Sequence, residues 1–284
     1  MSQRFEESFH HSDIELYLKC PRMFYYEKIL GMAPEYTTAA AVFGSAIHRT
    51  IEDIHHYRLK GGDLIQRSLK YRLNQIVEES EEEILWRGEY EERFSEAVLY
   101  LSLYASKDFN EKASVVAAEQ TFEVRVGRYT FEGTFDQLRR SEGLLILVDF
   151  KSGNWRPVED FLRRSYQLSL YAYAVWKQYG QIPDEVWWYQ LKDHLPYKRS
   201  YKGKKAGEEK GPAIYKTYRT QEDLEYLEQD LRRVCQAIRF NIFFRAPAQV
   251  GSCNGFCRFK EVCLGEMEAP SLSRSQLEAL KEVA

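Results

Sequence analysis

Apolar residues recur at helical spacing through the first third of the chain and then change to alternation. The spacing predicts a short helix over Asp13–Lys19, N-capped by Ser12 and broken by Cys20-Pro21, and a second over Met23–Leu30 that runs to Gly31. A longer helix is expected from Val42 to Arg58 with Gly61-Gly62 as its stop, followed by helices over Asp63–Trp86 and Glu91–Phe109. From Val115 to Val126 the pattern alternates as in a strand; Gly127-Arg128 serves as a turn and Tyr129–Leu138 returns. Leu144–Lys151 is a short apolar strand that ends in charge, Asp160–Tyr179 is helical, Asp184–Leu191 is a strand, and Gln221–Phe244 is a helix. Ser273 and Gln276 form a capping box for a last helix. The expectation is an α/β (α+β) chain with a helical N-terminal half. With no internal repeat or low-complexity linker, residues 1–284 read as a single domain, helical over 40–110 and with its core over 113–245.

Composition narrows the class. At 284 residues and 44% hydrophobic, the chain can bury a large core. Its longest apolar run, Leu144–Val148, is far too short to span a bilayer, so no membrane partner is expected. Arg4, Glu6 and Glu7 stand where a signal core would lie, which makes a cytoplasmic location the expectation. The net charge of -3 does not advertise a nucleic-acid binder, but charge is uneven. Eight glutamates against one arginine lie between Glu78 and Glu92, which reads as a solvated face. Eight Lys/Arg against two glutamates lie between Lys198 and Arg219, with Tyr197, Tyr201, Tyr215 and Tyr218 interleaved. Such a surface can pair phosphates and stack bases, with Lys202, Lys204 and Lys205 as candidate DNA contacts. Five cysteines, an odd number, argue against a disulfide framework and for a metal or cluster site.

The chemistry-bearing residues gather at strand ends. Asp149 and Lys151 are two apart on one strand and share a face; Asp136 lies near the end of the strand before it. Two carboxylates and a lysine converging there are costly to bury without a partner. A divalent cation offsets that repulsion, and hard oxygen ligands suit Mg²⁺ or Mn²⁺. Asp-x-Lys is common in strand-end salt bridges, so the motif needs company. Upstream, Gly44-Ser45-Ala46-Ile47-His48 places a histidine on a helix; downstream, Gln167 and Tyr171 share one helix face a turn apart. Both features could equally be ordinary helix packing.

Taken in order, Gly44-x3-His48, Gly133-Thr134-Phe135-Asp136, Asp149-Phe150-Lys151 and Gln167-x3-Tyr171 resemble the PD-(D/E)XK nuclease superfamily, in its RecB-like branch that carries an iron–sulfur cluster. That branch includes the nuclease domain of the AddB helicase-nuclease subunit and CRISPR-associated spacer-acquisition exonucleases. The resemblance implies a restriction-endonuclease-like mixed central sheet flanked by helices. It implies His48, Asp136, Asp149 and the backbone carbonyl of Phe150 as ligands of Mg²⁺ or Mn²⁺, and Lys151 as the catalytic lysine. Gln167 and Tyr171 would position DNA and the lysine, and Glu119 resembles an acidic position often found there. It also implies a [4Fe–4S] cluster held by Cys20, Cys253, Cys257 and Cys263, joining the ends of the chain. Spacing alone leaves Zn²⁺ open at these thiols, because Cys-x3-Cys-x5-Cys departs from the branch's usual Cys-x2-Cys. Cys235, on the apolar face of its helix, reads as a free core thiol.

The function so implied is a Mg/Mn-dependent deoxyribonuclease, an exonuclease on single-stranded ends in recombination or repair. No Walker-type loop occurs, so any helicase would be another chain. Prespacer processing in CRISPR adaptation, with partner proteins of that system, stays open. So do a catalytically inactive iron–sulfur DNA-binding subunit and a zinc-stabilised binding module.

Overall fold

The structure, a computed structural model, describes residues 8–32, 36–80, 83–86, 90–108, 113–196, 205, 207, 213–246, 257 and 259–265. Cys253, Lys202, Lys204 and the helix anticipated after Ser273 lie outside the described residues. The chain divides into two compact units, one made of residues 1–34, 122–133 and 221–284, the other of 35–121 and 134–220.

The larger unit is a mixed sheet with helices on its faces. Its helices are α3 (Ala39–His56), α4 (Gly62–Glu79) and α5 (Tyr90–Asp108). Its sheet combines β6 (Leu144–Lys151), β7 (Glu185–Gln190) and β8 (Ile214–Thr217) with the adjoining parts of β4 (Ser114–Val126) and β5 (Tyr129–Ser141). β5 and β6 are antiparallel, β6 and β7 parallel, β7 and β8 antiparallel. The parallel step requires a crossover, supplied by α6 (Glu159–Arg164) and α7 (Tyr166–Tyr179). Period-two geometry splits β6 between two cores. Ile146, Val148 and Phe150 pack with Ile47, Ile51 and Ile54 of α3, Leu69 of α4 and Tyr104 of α5. Each such fully buried side chain contributes roughly 1.5–3 kcal/mol. Leu145, Leu147, Asp149 and Lys151 therefore face the other side, where α7 packs on β6. β6 is buried on both faces, and the acid-lysine pair ends the face covered by α7.

The smaller unit unites early and late segments: β1 (Ser8–His10), α1 (His11–Lys19), α2 (Pro21–Phe24), a π-helical turn (Tyr25–Ile29), α8 (Gln221–Arg239) and α9 (Lys260–Leu264). β1 runs parallel to β5, with Ser8 opposite Thr130. Tyr17 donates to the Ile242 carbonyl at 2.7 Å, and Phe24 stacks on Phe243. Gly133 admits the Phe122 ring: a Cβ there would stand 2.7 Å from its Cζ, which fixes the residue type opening Gly133-Thr134-Phe135-Asp136.

Several boundaries differ from expectation, each for a local reason. α1 begins at His11, because the Asp13 carboxylate accepts from the His10 N–H at 2.8 Å and leaves Ser12 inside the helix. The second helix starts at Pro21 and widens into the π turn. α4 stops at Glu79 instead of running to Trp86: a glutamate run at a helix C-terminus opposes the dipole. Glu83–Leu85 then forms β3, paired in parallel with β2 (Tyr36–Thr38). The expected helix over Asp160–Tyr179 breaks at Ser165, whose backbone is extended and whose Oγ accepts from Leu168 N to start α7. α8 ends at Arg239, before Asn241 with its φ of 55°. β8 occupies part of the anticipated basic loop. No described helix is long and apolar enough to cross a membrane.

Candidate metal and catalytic centre

The larger unit contains every residue of the acid-lysine constellation. α3, started by a Thr38 cap on Ala41 N, places Ile47 and Ile51 in the core and leaves His48 half-buried beside β5. His48 Nδ1 lies 3.1 Å from Asp136 Oδ1 and 3.7 Å from Glu119 Oε1. Ligand atoms of His48, Glu119 and Asp136 fall within 4.8 Å of one another. Glu119 sits in the left-handed region at φ 44°, inside a strand. For an L-residue with a long side chain that conformation costs roughly 1–3 kcal/mol, and such strain concentrates at functional sites.

Asp136 and Asp149 are joined through the ladder. The β5–β6 register pairs Gln137 with Val148, so one step further sets Asp136 opposite Asp149. Asp136 Oδ2 accepts from the Phe150 N–H at 2.6 Å, while the Phe150 ring packs against Tyr104 and Tyr189. Asp149, 1% exposed, accepts from Lys151 Nζ through Oδ1 at 3.0 Å. Its Oδ2 is 2.8 Å from the same ammonium but makes no aligned hydrogen bond. The ammonium also donates to Gln167 Oε1 at 3.3 Å, and Gln167 Nε2 donates to Tyr171 Oη at 3.1 Å. It stands 4.9 Å above the centre of the Trp188 ring. The helical turn between Gln167 and Tyr171 thus fixes the amide, and the amide fixes the lysine.

Electrostatics follow from packing this many charges together. Burial alone would lower the His48 pKa, but Asp136 and Glu119 overcome it and raise the group to about 10. Burial pushes Asp136 up, yet His48, Lys151 and the Phe150 N–H hold it below the usual carboxylate range. Burial lifts Asp149 to about 6, against the pull of Lys151 and with a push from Asp136. Burial also raises Glu119, an effect that His48 opposes and Asp136 reinforces. Without a metal the excess of carboxylate is neutralised by drawing a proton onto His48. A cluster that holds a proton this firmly, with an unaligned buried Asp149 Oδ2 beside it, fits a cation bound by hard oxygen and one imidazole.

Of the remaining expectations, Cys20 is buried in an apolar cluster of the smaller unit with Met23, Tyr26 and Phe259, against which Cys257 and Cys263 pack. Burial, and then Cys263, raise the Tyr26 hydroxyl pKa. Cys235 is a buried free thiol pushed up to about 12 by burial. Lys205 is exposed. Arg219, counted in the basic run expected to face phosphates, is buried instead and fills the break between α6 and α7. Its guanidinium donates to Ser169 Oγ at 2.7 Å, the Leu162 carbonyl at 2.7 Å, Thr217 Oγ1 at 3.2 Å and the Ser165 carbonyl at 3.5 Å. Sequence reasoning missed Arg156, bidentate on Asp193 at 2.8 and 2.7 Å.

A mixed sheet flanked by helices, carrying acids and a lysine at the ends of adjacent strands, has the form of a nuclease centre. The model of the PD-(D/E)XK nuclease superfamily matches residues 8–264, and the chain belongs to that superfamily. A protein from Eubacterium rectale, solved as a candidate exonuclease, shares the fold with a TM-score of 0.50 at 13% identity, over 96% of this chain and 93% of that one. SSO0001 aligns at 12% identity and a TM-score of 0.36, over 86% of this chain and 96% of its own. No curated protein matches the chain.

Proposed function

We propose that this chain is a Mg²⁺- or Mn²⁺-dependent deoxyribonuclease of the RecB-like branch, acting as an exonuclease on single-stranded DNA ends in recombination or repair. The observation that carries the reading is Lys151 held by Asp149 and Gln167 beside the His48–Glu119–Asp136 cluster. His48, Asp136, Asp149 and the Phe150 carbonyl would hold the metal, with Glu119 as a further carboxylate. A metal held there would polarise a phosphoryl oxygen and make an attacking water more acidic. Lys151 places its positive charge where negative charge builds on the phosphorus-bound oxygens. Asp149 and Gln167 keep that ammonium in place, and Tyr171 orients the Gln167 amide. Such a centre needs no partner for chemistry; a helicase, or proteins of CRISPR adaptation, would supply the end. The exposed Lys205, with Lys202 and Lys204, would contact the backbone of that end in a cytoplasmic, single-domain enzyme.

Digestion of 5′- and 3′-end-labelled DNA tests the reading. With Mn²⁺ the protein is expected to shorten single strands progressively, to act poorly on blunt duplex, and to stop when EDTA is added. Equal attack on closed circles and linear strands would refute the exonuclease assignment, and no metal-stimulated cleavage would refute the enzyme.

In the same proposal Cys20, Cys253, Cys257 and Cys263 bind a [4Fe–4S] cluster. Three of the four border one apolar cluster, which supports a shared soft-metal site. Anaerobically purified protein is expected to be brown and to contain iron and acid-labile sulfide. A colourless protein with one stoichiometric Zn²⁺ would replace the cluster by zinc.

A further inference from the structure

The segment leaving β6 carries an aromatic patch that the proposed hydrolysis does not use. Trp155 is 53% exposed and Phe161, at the start of α6, is 40% exposed. Their rings meet edge to face at 4.6 Å, and both rest on Trp188, at 5.5 and 5.6 Å. Val158, between them in sequence, is more exposed still. Large apolar groups left together in water mark a surface with a use.

This exposure is imposed by the fold, not by a loose loop. On one side of Trp155 the Gly153 carbonyl accepts from Gln190 Nε2, and Gln190 Oε1 in turn accepts from Trp188 Nε1. On the other side Arg156 grips Asp193 with two hydrogen bonds, and Tyr215 donates to the same carboxylate. Trp155 is thus held between two anchors with its ring outward.

Trp188 connects the patch to the chemistry, since it lies under both outer rings and under the Lys151 ammonium. Beside α6, Arg163 and Glu159 line an open cleft of about 310 Å³ with Tyr215 and Tyr218. Lys216 borders the same cleft, but its ammonium lies over Trp187 and is paired with Glu185, so the charge turned toward the patch comes from Arg163. An exposed Trp155 ring braced edge to face by Phe161, with Arg163 on the same helix as Phe161 and one ring away from a phosphate-directed lysine, matches the π-faces and phosphates of an unpaired strand. Stacked duplex bases would have no free face to offer.

Resting on the nuclease reading above, we propose that Trp155 and Phe161 form a stacking platform for an unpaired base of the single-stranded substrate, beside the scissile phosphate at Lys151. The platform positions substrate and takes no part in proton transfer. It makes recognition depend on bases being present and unpaired, whatever their sequence.

The test is equilibrium binding of a fluorescent single-stranded oligonucleotide, measured in EDTA so that no cleavage intervenes. An abasic oligonucleotide of equal length and a blunt duplex serve as comparison ligands. The wild type is expected to bind the intact strand about tenfold more tightly than the abasic one, the size of one base stack. Trp155→Ala with Phe161→Ala is expected to lose that preference and leave abasic binding unchanged, while Trp155→Phe retains it. Because both side chains are exposed, the double variant is expected to melt like the wild type. A wild type without preference for the intact strand, or a double variant that keeps it, overturns the platform. The nuclease reading is judged separately, by metal-stimulated cleavage. A protein that shows the base preference but never cleaves keeps the platform and loses the enzyme.

Discussion

Lys151→Ala is expected to lower the single-turnover rate of single-strand cleavage by roughly 10²–10³-fold, the usual cost of removing one group that stabilises transition-state charge. Lys151 Nζ is the cation that Asp149 and Gln167 aim at the centre, and alanine removes it without replacing its charge. Lys151→Arg is not expected to restore the rate, because a planar guanidinium cannot occupy a point-charge site between one carboxylate and one amide. Substrate binding should change much less than the rate, since the lost contact is strongest at the transition state. The fold should persist: Lys151 is half-buried, although Asp149 loses its partner and its carboxyl will favour the protonated form more strongly. Rapid-quench assays with Mn²⁺, together with thermal melts, separate these effects. A folded Lys151→Ala protein that cleaves at the wild-type rate would remove the lysine from the mechanism.

What made this centre legible was its local part. Asp149 and Lys151 two apart on a strand, and Gln167 and Tyr171 a turn apart on a helix, follow from the periods of those elements, and the structure joins them at 3.0, 3.3 and 3.1 Å. The pairing of Asp136 with Asp149 needed the β5–β6 register, which the short turn between the strands supplies. Glu119 was harder. A strand pattern does not announce a left-handed residue within it, yet φ 44° at that position accompanies the approach of Glu119 to His48. The succession of helices and then strands was legible from the change of period, whereas the mixed central sheet was expected only from the family resemblance. β1, β2, β3 and β8 were not legible, because three or four residues carry too little periodicity to separate from a loop. The break at Ser165 escaped for a related reason: apolar spacing continues from Leu162 through Leu170, and a serine amid it signals a new helix only once its Oγ is seen capping Leu168 N.

That break is where the largest stability effect is expected. Arg219 is 4% exposed and reaches both helices of the crossover, bonding the Leu162 carbonyl near the end of α6, the Ser165 carbonyl at the join and Ser169 Oγ in the first turn of α7. The C-terminal carbonyls of a helix have no partner of their own, and here the guanidinium supplies one to Leu162. Arg219→Ala leaves the Leu162 carbonyl without a donor and removes the bonds to Ser169 Oγ, Thr217 Oγ1 and the Tyr218 carbonyl. The Ser165 carbonyl keeps the Ser169 N–H and Oγ. At about 1 kcal/mol for each bond lost, a total of roughly 3 kcal/mol is expected. For a chain of this size that lowers the melting temperature by roughly 6–12 °C. Arg219→Lys should recover only part of it, because an ammonium cannot span acceptors belonging to two helices and a strand. Activity should fall with stability, since α7 begins at this join and carries Gln167, the residue that holds Lys151. Differential scanning calorimetry with cleavage assays well below the transition tests both parts. A variant that melts within about 2 °C of the wild type would mean that water or a shifted backbone satisfies the carbonyls, at most about 1 kcal/mol being lost. In that case Arg219 would not be what holds Gln167 against Lys151.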